Sequence, residues 1–234
     1  MLKLIWQNER TIFGKIYNIT IYMLETNSNT QPTFKTFQNE IANPAILVIG
    51  QRGSGKTTLI KDIIRKKGYD MQKDVYVFCP TDRFYNSYSE HINALNVYYN
   101  YESSVVANIL KEQQENKRQI VVVFDDCILN AKTQELAELL YNGRHYGISY
   151  IWSTQTAINI SPDLRLNMDY VFLIGTNTSN LKKIYNHYAG FFPDYSTFVG
   201  VYEQLTNDFN CMVIDNRLSV MDVCDKLLTY KANN

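Results

Sequence analysis

"AILVIGQRGSGKTTLIKDIIRKKG", residues 45–68, decides the fold. "AILVIG" is a continuous apolar run, the pattern of a strand buried on both faces. "KTTLIKDIIRKKG" has helical periodicity and closes on Gly68. Between them "GQRGSGKT", Gly50 to Thr57, fits G-x-x-x-x-G-K-[ST] in the strand–loop–helix setting that this motif requires. Glycines let backbone N–H groups turn inward around phosphate oxygens, and the helix N-terminus adds its positive dipole end. The candidate nucleotide contacts are therefore Gly50, Gln51, Arg52, Gly53, Ser54, Gly55, Lys56, Thr57 and Thr58. Lys56 suits the β- and γ-phosphates, and the Thr57 hydroxyl suits Mg²⁺. The expected ligand is a nucleoside triphosphate.

Outward from this loop, strands and helices alternate. "DVYVFCP", "QIVVVFDD", "GISYIWSTQ", "DYVFLIGT" and "CMVID" read as strands. "SSVVANILKEQQENK", "AKTQELAELLYNG" and "TSNLKKIYNHYAG" read as the helices between them. Near-continuous apolar strands alternating with helices predict an α/β fold, with a mostly parallel central sheet covered by helices on both faces. Residues 41–216 form the expected P-loop core. Residues 1–40, with "KIYNITIYML" as a strand and "NSNTQPT" as a loop, read as an N-terminal β appendage. "SVMDVCDKLLTYK" makes 217–234 a C-terminal helical tail by the same reading.

"IVVVFDDC" places an acidic pair at the carboxyl end of a parallel strand, where ligands of such sheets bind. Asp125 is the candidate Mg²⁺ ligand, directly or through water. Asp126 is placed to polarise an attacking water, or else to cap the following turn. The strand "GISYIWSTQ" ends on Gln155 rather than on a usual turn residue. In the P-loop class with an extra strand between the Walker A and Walker B strands (the RecA/ASCE type), that strand follows Walker B in sequence. Gln155 would then lie between Lys56 and Asp125, where an amide can bond both the γ-phosphate and the water. Arg144, just before this strand, is either an arginine finger or a helix-end cation, and Arg165 competes with it for the finger's role.

Composition narrows the rest. The 234 residues carry 23 basic and 23 acidic side chains, so any nucleic-acid contact must come from local patches rather than an overall field. The four cysteines form no CxxC pair and three lie in or beside apolar runs, as reduced buried thiols do. The three histidines are too scattered for a zinc site. No stretch reaches the roughly 18–20 apolar residues of a membrane span, and the N-terminus lacks a signal-peptide pattern. "KDIIRKKG", "CPTDRFYNSYSE" and "TSNLKKIYNHY" carry basic or aromatic residues that could face nucleic acid, with helix-end stabilisation and loop packing as the simpler readings.

"NGRHYGISYIWSTQT…DLRLNMDYVFLIGT" resembles the corresponding stretch of the FtsK–HerA superfamily. Within it, Phe34 to about Asn216 is similar to the poxvirus-type DNA-packaging ATPases of large nucleocytoplasmic DNA viruses and their virophage relatives. The features are "GQRGSGKT", "VVVFDDC", the Arg-His before "GIS", the glutamine ending that strand, "NLKKIYNHYAG" and "NCMVIDN". The resemblance implies an ATPase that uses ATP and Mg²⁺ to drive double-stranded DNA into a preformed capsid. It implies a homo-oligomeric ring, pentamer or hexamer, and a capsid, portal or membrane component as partner. The site would be the host cytoplasm, in the virus factory, or the virion. It carries Lys56, Thr57, Asp125, Asp126, Gln155 and, less closely matched, Arg144. The chain departs from the superfamily in having Asp126 where glutamate is frequent and Ser149 where cellular members have histidine. The superfamily's long DNA-engaging insertions and winged-helix tail have no counterpart. A small-molecule P-loop kinase and another FtsK–HerA-type DNA pump are the alternatives. The segment from Asp126 to Gly147 holds one arginine, too few for a kinase lid, and no guanine-recognition N/T-K-x-D follows the later strands.

Overall fold

Every residue of Ala45–Ile49 (β2) is buried, because this strand has a neighbour on each side and packing on both faces. It belongs to a computed structural model of the chain that describes residues 34–38, 41–129, 133–157, 160–218 and 223–233. The phosphate-loop helix Lys56–Lys67 (α1) follows β2. Its N-cap Gly55 and C-cap Gly68 both adopt the left-handed conformation that glycine takes at little cost. Then come Val75–Phe78 (β3), the short helix Asp82–Tyr85 (α2) and Val97–Tyr98 (β4). Ser103–Asn116 (α3), Ile120–Asp125 (β5), Gln134–Asn142 (α4) and Ile148–Thr154 (β6) follow, then Pro162–Leu166 (α5) and Tyr170–Leu173 (β7).

Strand order decides where the chemistry falls. The core runs β7-β2-β6-β5-β3-β4, all parallel, so β6 lies between the strands bearing the phosphate loop and the acidic pair. Register aligns Asp125 with Ser153 and Ile49 with Thr154, which brings three carboxyl ends to one edge. Alternate residues of β2 point to opposite faces. Leu47 and Ile49 pack with residues of α3 and α4, and Ile46 and Val48 pack with Leu59, Ile60, Ile63 and Ile64 of α1. The expected α/β sheet, mostly parallel and covered on both faces, is the observed one.

Beyond β7 the chain forms Thr178–Tyr188 (α6), Tyr195–Leu205 (α7) and Asn210–Asp215 (β8), and β8 runs antiparallel to β7. The tail differs from the expected helix. Val223–Lys226 (α8) makes one turn, and Leu227–Lys231 (β9) is a strand antiparallel to β8. A short apolar run reads equally as helix or strand by periodicity, and the open edge of β8 supplies a hydrogen-bond ladder that favours the strand. On the far side of β9 lies Lys35–Thr36 (β1), paired in parallel. Phe37, next in the chain, packs edge-on against Tyr170 and Phe172 with ring centroids 4.8 and 4.9 Å apart. The described part of the expected N-terminal appendage is therefore continuous with the core sheet. The anticipated strand at 15–24 lies outside the described residues.

Candidate nucleotide-hydrolysis site

The phosphate loop is tied down on both flanks. Gly50 N–H donates to the Thr154 carbonyl on β6 at 3.1 Å, and Gln51 N–H donates to the Gly175 carbonyl after β7 at 2.9 Å. Gly50 has to be glycine, since a Cβ there would lie 2.5 Å from the Ile174 carbonyl oxygen and 2.6 Å from Ser54 Oγ. The Ser54 side chain is thus folded under the loop, and its buried hydroxyl has no hydrogen-bond partner among the described residues. Gln51, Arg52, Gly53 and Thr58 are exposed along the loop and the start of α1.

Asp125 ends β5 fully enclosed by hydroxyls. Thr57 Oγ1 donates to its Oδ2 at 2.8 Å, the Tyr88 phenol donates to the same oxygen at 2.9 Å, and Ser153 Oγ donates to Oδ1. Burial, then the Asp125 charge, push the Tyr88 phenol well above its ordinary value, so it stays a proton donor. Tyr88 is held by Asp82, itself buried, whose carboxylate accepts the N–H groups of Tyr88 and Ser89. A hydroxyl and a carboxylate oxygen 2.8 Å apart form the hard-oxygen pair that Mg²⁺ prefers, so Thr57 and Asp125 fit that ion.

Asp126 turns the opposite way. Its backbone is left-handed at φ +48°, which Asp tolerates better than most residues, and its N–H donates to Ser153 Oγ. Its carboxylate faces Lys56 and Gln155. Lys56 Nζ lies 3.3 Å from Asp126 Oδ2, and Gln155 Nε2 donates to the same oxygen at 3.4 Å. Lys56 also donates to the Gln51 carbonyl, and its side chain is almost wholly buried. Beside Asp126 and Gln155 opens a cleft of about 400 Å³, bordered also by Ile128 and Trp152. Asn180, at the start of α6, accepts from Ala157 N–H and donates to the Gln155 carbonyl and to Thr176 Oγ1. One buried amide thus clasps the loop carrying Gln155 to the loop after β7.

Lys56, Thr57, Asp125, Asp126 and Gln155 converge; Arg144 and Arg165 do not join them. Arg144 precedes β6 at the amino edge of the sheet, where its guanidinium meets Asp169 at 3.2 Å. Asp169 in turn accepts the Ala45 N–H at the start of β2. The seven residues of β6 separate that edge from Gln155 by about 20 Å at ~3.3 Å per residue. Arg165 lies over the Tyr188 ring, whose hydroxyl donates to the Ala157 carbonyl two residues past Gln155. Arg144 does not reach the phosphate loop of its own chain. Conversely, Tyr88, Ser153 and Asn180 belong to the site without a motif to announce them; the polar ending of "YIWST" was the one available signal.

The buried thiols behave as expected. Burial pushes Cys79 and Cys127 up to about 11 and Cys211 up to about 12, which keeps them protonated. Among the described residues no group of three or more His, Cys, Asp and Glu side chains is gathered to hold a metal, and no helix is long and apolar enough to cross a membrane.

A family model described as "Poxvirus A32 protein" matches residues 34–207. An uncharacterised protein of Acanthamoeba polyphaga mimivirus is 35% identical over 213 residues, covering 83% of this chain and 74% of that protein. One from Invertebrate iridescent virus 6 is 33% identical over 190 residues, covering 76% and 72%. Among solved structures, the DNA-packaging ATPase B204 from Sulfolobus turreted icosahedral virus superposes with a TM-score of 0.58 at 18% identity, over 82% of this chain and all of that one. The conjugation coupling protein TcpA of pCW3 superposes with a TM-score of 0.52 at 13% identity, over 87% and 70%.

Proposed function

The chain belongs to the poxvirus A32 protein family, and from that premise we propose that it is an ATP-driven motor that moves double-stranded viral DNA into preformed capsids. The observation that carries the enzymatic half is the meeting of Lys56, Asp126 and Gln155 within 3.4 Å at the carboxyl ends of three adjacent parallel strands. The translocation half is supported by the family and by the shared fold with a protein described as a packaging ATPase.

In the proposed reaction a water attacks the γ-phosphorus, a P–O bond forms as the bridging β,γ P–O bond breaks, and ADP and phosphate leave. Backbone N–H groups of the glycine loop and Lys56 hold the phosphate oxygens and balance their charge. Asp126 polarises the water, and Gln155 orients it against the γ-phosphate. Thr57 and Asp125 would hold Mg²⁺, which would supply neutralisation of the charge on the transferring phosphate. Tyr88 and Ser153 keep the Asp125 carboxylate in one orientation for that purpose. The working form is a homo-oligomeric ring, pentamer or hexamer, acting in the host cytoplasm or at the virion against a capsid or portal component. Within such a ring Arg144, with Arg165 as competitor, would act on a neighbour's γ-phosphate, because Arg144 lies a strand's length from its own site.

Net neutrality implies that DNA is gripped by local phosphate contacts. Steady-state hydrolysis should rise on adding double-stranded DNA, and DNA affinity should fall steeply with salt as counterions are released. Affinity equal at low and high salt, or strict dependence on one sequence, would remove the packaging reading.

A further inference from the structure

The γ-phosphate end of a bound nucleotide would be set by Lys56, Asp126 and Gln155, which follow the carboxyl ends of β2, β5 and β6. Strand order puts β6 and β5 on one side of β2 and β7 on the other. With its γ end against β5 and β6, a nucleotide lying along the phosphate loop must carry its ribose and base toward β7 and β8. The aromatic side chain of Phe209 stands there, exposed. Phe209 immediately precedes β8, whose Met212 pairs with Leu173 at the carboxyl end of β7. A Cβ placed on Gly55, at the very start of α1, would lie 3.9 Å from Phe209 Cδ1.

The ring is 72% exposed although it adjoins a glycine-rich loop. Its backbone is unusual as well. Asp208 and Phe209 both adopt left-handed φ values, +54° and +58°, in a conformation where side chains crowd the following carbonyl. Such pairs persist where the surrounding structure enforces them. Here the Asn210 side chain donates to the Asn207 carbonyl at 2.6 Å across the turn. The turn also follows directly on α7, whose Tyr202 hydroxyl accepts the Thr176 N–H beside the phosphate loop. Two unfavourable features, an exposed ring and a strained backbone, are thus held in register with the loop.

We infer that Phe209 is the platform on which the base of the bound nucleotide stacks. This rests on the loop being a triphosphate site, and it assigns base affinity to a residue outside the phosphate loop and the acidic strand. A ring offers its face to any base, so the contact supplies affinity by stacking.

The test compares ATP with inorganic tripolyphosphate, which shares the phosphates and lacks a base, by calorimetry on the full chain. Phe209→Ala should weaken ATP about tenfold, the scale of one lost base–aromatic stack, and leave tripolyphosphate within about twofold. Phe209→Gly, which suits a left-handed backbone, should behave the same way with no loss of thermal stability. Phe209→Trp should keep the wild-type ATP affinity. The inference is overturned if both ring-less variants bind ATP like wild type, or if tripolyphosphate weakens in parallel, which would make Phe209 a prop for the loop. Wild-type protein that binds neither ligand would instead remove the triphosphate reading itself.

Discussion

The buried phenol of Tyr88 donates a 2.9 Å hydrogen bond to Asp125, the carboxylate that ends β5. Partners behind a metal-ligating group orient it, and their loss typically costs tenfold or more in metal affinity. Tyr88→Phe keeps the ring and removes only the donor. Half-maximal hydrolysis should then need about tenfold more Mg²⁺, with maximal turnover at saturating Mg²⁺ reduced less. An unchanged Mg²⁺ titration would leave Tyr88 as packing alone.

Lys56 and Asp126 share the site but should fail differently. Lys56→Ala removes the cation that faces the phosphates, so nucleotide binding or turnover should be abolished. Asp126→Asn is isosteric and cannot polarise water as a carboxylate does. It should bind ATP yet lose turnover, as read by equilibrium binding beside a phosphate-release assay. Hydrolysis at the wild-type rate would reduce Asp126 to a turn residue.

Arg144 should show two separable effects. Its loss strips the guanidinium from the buried Asp169, and Arg144→Ala should lower unfolding stability by about 1–3 kcal/mol, a charged hydrogen bond's worth. Arg144→Ala subunits should also bind ATP and barely hydrolyse it. Mixing them with Lys56→Ala subunits should restore activity, because an intact Lys56 then meets an intact Arg144 across the interface. If the mixture co-assembles and stays inactive, Arg144 is structural and Arg165 is tested by the same mixing.

Asp62 on α1 accepts the Tyr230 phenol of β9 at 2.6 Å and pairs with Lys66. Burial works to raise this carboxyl, but the hydrogen bonds from Tyr230 and Lys66 outweigh it and hold it below its ordinary 3.8. A depressed carboxyl contributes stability that is full above its unfolded value and lost as pH falls through its folded one. Tyr230→Phe should therefore cost about 1–2 kcal/mol in urea unfolding at pH 7. The gap from wild type should shrink below pH 4.

Strand-loop-helix context made the nucleotide loop readable, because glycine spacing and apolar runs are local properties. The slot of β6 was readable too, since one strand class dictates where Gln155 must fall. Tyr88 was not: its partner Asp125 is 37 residues away, and nothing in "NSYSE" separates a buried tyrosine from an exposed one. Asn180 resembles any polar residue in a first helical turn until the loops it clasps are in place. "KLLTYK" was misread because its strand form depends on β8 being there to pair with.

The sheet ends, among the described residues, in two-residue strands on both sides, β1 and β4. A strand that short offers another chain too brief a row of free backbone groups to zip onto. Crowded copies meeting at the described β4 margin therefore find little backbone template from which to grow fibres.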